Sequence, residues 1–124
     1  MIYNGKIHYL LSIALPNKKE FEILSYSKSQ SDWCKKNERE IWLFFAERDL
    51  LYEKDQTAFM KYISEGPNTS GMPADAPGNI GSWVGLQIVK SYIDNNKDLK
   101  LNSLFNNDDI LSSSDFLIKA NYKP

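Results

Sequence analysis

GNIGSWVGLQIVKSYI, residues 78–93, decides the architecture. Apolar residues fill most of it, and their recurrence fits a helix from about 79 to 95. Gly81, Gly85, Ile88 and Tyr92 fall on one face at 3.6-residue spacing, with Val84 beside them. Two glycines inside a helix cost roughly 1 kcal/mol each against alanine. Close approach offsets that cost, because a surface without side chains lets another backbone or a ring lie directly on the helix. The same small-xxx-small spacing occurs in membrane helices. Here Gln87, Lys90 and Asp94 make the segment too polar to lie in a bilayer. The stretch therefore reads as the central helix of a packed bundle, with Gly81 and Gly85 as its packing positions.

Working outward, residues 2–15 read as a helix, with Ile2, Tyr3, Ile7, Leu10, Leu11, Ile13 and Ala14 on one broad face and Pro16-Asn17 ending it. A short helix is predicted over 18–25. The clearest periodic segment is 30–48, with Ser29 or Ser31 as N-cap. Another helix follows over 55–64, capped by Asp55. A short one is expected at LNSLF, residues 101–105, and a last turn or two starts near Ser113 or Ser114. EGPNTSGMPADAPGN, residues 65–79, holds three prolines and three glycines, so it is a long structured loop feeding the central helix. No segment alternates with period two. The expectation is an all-α fold, with residues 1–124 forming one compact helical domain.

Composition narrows the function. Net charge is -1, which gives no overall pull toward nucleic acid or anionic lipid. No run of about 18 apolar residues is present to span a membrane. Cys34 is the single cysteine, so no disulfide forms within the chain, and His8 is the single histidine. A catalytic zinc usually takes three protein ligands. Reaching three here would need His8 plus two carboxylates from separate helices. The expectation is no metal, no cofactor and no catalytic residue in this chain.

Several polar residues fall on apolar faces. In the 30–48 helix Asn37, Glu38 and Arg48 project into the arc of Trp33, Cys34, Ile41, Phe44 and Phe45. In the first helix Lys6 lies between Ile2, Leu10 and Ile13. Lys6 and Glu38 thus point toward one core. The bland reading is a buried ion pair or a snorkelling lysine. The functional reading is a polar pocket of Lys6, Asn37, Glu38, Arg48 and Gln87, with Glu38 as acid, base or ligand anchor. Asn4, His8 and Ser12 lie on the opposite side of the first helix. They read as an open contact side, with Tyr9 and Leu15 incompletely covered. In the loop, Met72 and Pro73 are expected under a lid, and Trp83 anchors the first turn behind it. These three are the other candidates for the contact surface.

Four blocks carry a family resemblance: MIYNGKIHYLLSIALP (1–16), WCKKNEREIW (33–42), MPADAPGNIGSWVGLQIVKSYI (72–93) and ANYKP (120–124). In this order and spacing the chain resembles the later portion of the GldB family of gliding-motility lipoproteins. The resemblance implies an envelope protein facing the periplasm. Its partners would be other envelope or gliding-machinery proteins and the missing N-terminal half of its own family fold. It also implies a distant likeness to zincin-type metallopeptidases, whose metal-binding helix would lie upstream. Three readings follow: a non-catalytic part acting through protein–protein contacts, half of a zincin-like hydrolase, or a small ligand-binding helical module.

Overall fold

The computed structural model describes residues 1–50, 56–69, 71–96 and 113–124. Among the described residues seven helices follow in order: α1 (Ile2–Ala14), α2 (Glu20–Ile23), α3 (Lys28–Lys36), α4 (Glu38–Glu47), α5 (Gln56–Ile63), α6 (Ile80–Asn95) and α7 (Ser113–Ala120). No strand occurs among the described residues, and the fold is all-α. The expected helix at 101–105 and the cap at Asp55 lie outside the described residues.

α6 is the axis. Ile80, Gly81, Ser82, Trp83, Val84, Gly85, Leu86, Ile88, Val89 and Tyr92 are all buried. α1, α5 and α7 pack on it. Through Val89 the helix is apolar nearly all round, and such a segment has to be enclosed by others. Its glycines are the contact points. A Cβ on Gly85 would run into the Met1 carbonyl, and a Cβ on Gly5 would run into the Gly85 carbonyl. Gly81 faces the other neighbour, where a Cβ would stand 2.8 Å from the Tyr62 carbonyl oxygen of α5. α1 and α6 therefore cross backbone to backbone at Gly5 and Gly85.

The expected single helix over 30–48 is two helices. α3 ends at Asn37, whose backbone sits at φ -109, ψ 22, and whose Nδ2 donates to the Trp33 carbonyl at 2.8 Å. Asparagine offers the backbone an alternative to the helical ladder, which is why it breaks helices in mid-run. The helix also starts earlier than expected. Ser27, not Ser29 or Ser31, is the N-cap, in a capping box in which its Oγ accepts from the Gln30 amide.

The loop before α6 is pinned at its neck. The Gly78 amide donates to the Gly66 carbonyl, and the two backbones are too close for a Cβ on Gly78. The buried Thr69 hydroxyl donates to the Pro77 carbonyl at 2.6 Å, and the Tyr26 hydroxyl donates to the Gly78 carbonyl at 2.8 Å. Met72 packs against the core, as the lid reading requires. Pro73 is exposed, so only half of that expectation holds.

The C-terminal helix is clasped by side chains of α6. The Ala120 carbonyl accepts from the Ser91 hydroxyl and from Asn95 Nδ2, and the Lys119 carbonyl accepts from Asn96 Nδ2. These bonds satisfy carbonyls that a helix end leaves open. Phe116 stacks on Tyr92 with ring centroids 4.2 Å apart and planes 6° from parallel. Tyr122 then crosses to α4 and meets Trp42 edge-on at 4.9 Å.

Candidate functional site

α1 carries two faces that compete for the core, and the outcome departs from the sequence expectation: Ile2 and Lys6 turn inward as expected, but Tyr3, Leu10, Leu11 and Ile13 do not. The side with Gly5 faces α6. Asn4, expected on an open side, donates through Nδ2 to Ser82 Oγ of α6 at 3.1 Å. Ser82 in turn donates to Asn79 Oδ1 at 2.5 Å, so a buried polar chain ties the start of α1 to the start of α6. His8 is half-buried, with Nδ1 2.7 Å from the Asn4 carbonyl, and Ser12 donates to the Tyr9 carbonyl. Tyr9 packs against the core. The physical reason is distance. The glycine strip of α6 accepts a bare backbone, and only the Gly5 side of α1 offers one.

The broad apolar face consequently looks outward. Tyr3, Ile7, Leu10, Leu11 and Ala14 recur at i, i+4, i+7, i+8 and i+11. Tyr3 is 65% exposed, Leu10 39% and Leu11 38%, and Ala14 is exposed too. Ile13 and Leu15 are exposed beside them. No charged residue interrupts this arc, and residues 1–19 contain no Asp or Glu. Scattered apolar residues on a surface need no explanation, but a continuous helical stripe of them asks for one.

The predicted polar pocket is dispersed. Lys6 is buried, with its ammonium 5.0 Å from the centre of the Phe116 ring. Glu38 does not meet it. The Glu38 carboxylate accepts from the Tyr122 hydroxyl at 2.5 Å, and burial, reinforced by that bond and by the Glu38 charge, raises the Tyr122 pKa above its ordinary range. Arg48 is exposed, its guanidinium lying 3.8 Å from the Phe44 ring centre. Asn37 serves the α3–α4 break. Gln87 donates to Glu20 at 2.6 Å, and Lys90 reaches the same carboxylate at 3.3 Å, which ties α2 to α6. Sequence reasoning saw these polar residues but not their partners, because Tyr122 and Glu20 lie 84 and 67 positions away from the residues they serve. Trp83, expected at a contact surface, is buried at 1% exposure, and its indole Nε1 has no hydrogen-bond partner among the described residues.

Among the described residues no three His, Cys, Asp or Glu side chains converge as a metal ion requires. Cys34 is fully buried, and burial, assisted by the negative charge of Glu20, pushes its thiol up to about 12. A thiol, not a thiolate, is the ground state, so it is a poor nucleophile. Native protein should therefore resist a thiol reagent at pH 8 and react promptly once denatured, which a timed colorimetric thiol assay reads. Prompt native labelling would mean that the site opens.

The family model described as "Gliding motility protein GldB" matches residues 1–124, the whole chain. The chain belongs to the GldB family. No curated protein and no solved structure matches it. Membership gives the outward face of α1 and the clasped C-terminus a setting, since GldB proteins are gliding-motility proteins. No helix among the described residues is long and apolar enough to cross a membrane.

Proposed function

We propose that this chain is a non-catalytic part of a gliding-motility envelope protein, facing the periplasm and acting through protein–protein contacts. The uncharged outward face of α1 is the surface it uses. The supporting observation is the unbroken stripe of Tyr3, Ile7, Leu10, Leu11 and Ala14 on a helix whose other side is already occupied by α6. An interface core depleted of charge is the composition of permanent contacts, in contrast to the polar rims of transient ones. The occupant in this reading is another part of the family's own fold or a second protein of the gliding machinery.

The test is the pair of substitutions Leu10→Glu and Leu11→Glu. Both positions are part-exposed, and glutamate is a good helix former, so stability should change by no more than about 1 kcal/mol. Gliding on agar and recovery of the protein in its envelope complex should both be lost. Normal gliding with a normal complex would refute the contact surface.

A further inference from the structure

The outward stripe of α1 has the spacing of a coiled-coil seam. Tyr3, Ile7, Leu10 and Ala14 follow one another by four, three and four residues, the a/d rhythm of a heptad. Gly5 takes the f position of that register, opposite the seam, and it is the residue seated on α6. Leu11 borders the seam on one flank and Ile13 on the other, 38% and 48% exposed. α1 therefore meets its own core through one side and presents the other, ready spaced, to a second helix.

Charge and shape select the occupant. Lys6 is the one charged residue in 1–15, and its side chain is buried. In a two-fold contact a surface faces a copy of itself, so any charge on it would return as a like charge or an unpaired one. This seam carries none. A helix lying on a lipid surface has the opposite pattern, with Lys or Arg along the flanks of its apolar face. Here the exposed Lys18 and Lys19 come after Pro16, past the end of the helix. Side-chain size then sets the direction. Laid parallel on a copy, the seam would stack Tyr on Tyr at one end and Ala on Ala at the other, splaying the first and leaving a gap at the second. Laid antiparallel, every layer sets an a residue against a d residue, large against small at the ends and equal in the middle, which packs evenly. We infer that α1 is a self-association surface, on which two copies of this chain pair their first helices antiparallel, Tyr3 against Ala14 and Ile7 against Leu10 of the second copy. The helix has 13 residues and is about 20 Å long. A contact of that length lies at the low end of specific interfaces, so the dimer is a reversible one.

This rests on the α1 contact surface proposed above and names its occupant. Sedimentation equilibrium of the full 124-residue chain should show monomer and dimer in exchange, with a Kd of about 10–100 μM. Leu10→Glu places a charge in the middle of the seam and should weaken the dimer at least about tenfold. Oxidative cross-linking reads the direction. Tyr3→Cys and Ala14→Cys both change exposed positions, and the native Cys34 is buried and stays out of the reaction. Mixed together, the two variants should join through a disulfide. Neither should link to itself, because like positions lie about 16 Å apart along an antiparallel pair. Linking of each variant to itself in preference to the other, equal linking in every combination, an undiminished dimer in Leu10→Glu, or a chain still monomeric at about 1 mM would each overturn the proposal. If such a monomer nevertheless lost gliding on Leu10→Glu, the contact surface would stand and the second copy alone would be ruled out as its occupant.

Discussion

Gly5→Ala and Gly85→Ala should each destabilise the protein by about 2–4 kcal/mol, although alanine is the better helix former. On an open helix surface the same change stabilises by roughly 1 kcal/mol. Here the added methyl has nowhere to go. At Gly5 it meets the carbonyl carbon and oxygen of Gly85 and the Leu86 amide nitrogen 2.7 Å away. At Gly85 it meets the Met1 carbonyl and, at 3.2 Å, the Gly5 amide nitrogen. These are backbone atoms in regular helices or, for Met1, at the start of one, and they cannot rotate aside as a flexible side chain would. The crossing must open by a fraction of a helix diameter, loosening the Asn4–Ser82 bond and the packing beside it. Overpacking of this kind typically costs 1–3 kcal/mol, and a backbone-to-backbone contact belongs at or above the upper end. Because both methyls compete for one gap, the double mutant should lose less than the sum of the singles. Urea unfolding of the four proteins measures all of this. A stabilised Gly5→Ala would show that the helices do not cross there.

Phe116→Ala should cost about 3–5 kcal/mol, the usual range for removing a buried phenylalanine. Phe116 is 3% exposed, stacked flat on Tyr92 and lying beneath the Lys6 ammonium. Its loss would remove the ring that joins α7 to α6 and uncover a buried cation at the same time. Leu117 and the small Ala120 are the other apolar residues of α7 that reach the core, and Ile118 is 73% exposed. The carbonyl bonds from Ser91, Asn95 and Asn96 depend on α7 being in place. Hydrogen exchange should therefore show residues 113–120 losing protection before α6 does. A uniform loss across the protein would mean that α7 folds with the core as one unit. Phe116→Leu, which keeps most of the volume, should cost markedly less and separates packing from a general intolerance of change.

The resemblance that the four sequence blocks carry and the family match agree, and the chemistry-bearing residues were largely visible in the sequence. Their pairing was not. Lys6 and Glu38 were expected together because each is a charge on an apolar face. Helical periodicity gives the face a residue lies on but not the distance between faces of different helices. Glu38 found Tyr122 instead, and Lys6 found the ring of Phe116. The break at Asn37 was missed for a related reason. The apolar repeat runs through it unbroken, while the side-chain bond from Asn37 to the Trp33 carbonyl is a local competition that periodicity does not register.

By itself the sequence determined the all-α class, the central place of residues 80–95, the long structured loop ahead of it and the need for a close neighbour at Gly81 and Gly85. These follow from periodicity, from proline and glycine placement and from the cost of glycine in a helix, all of which act within a few residues. Only the tertiary structure decided which way α1 turns. Its apolar face is the larger, and burial of area alone would have put that face inward. The Gly5 side won because it alone lets two backbones touch and lets Asn4 reach Ser82. Contact geometry across 80 residues of chain set that choice, and it left Tyr3, Leu10 and Leu11 on the surface.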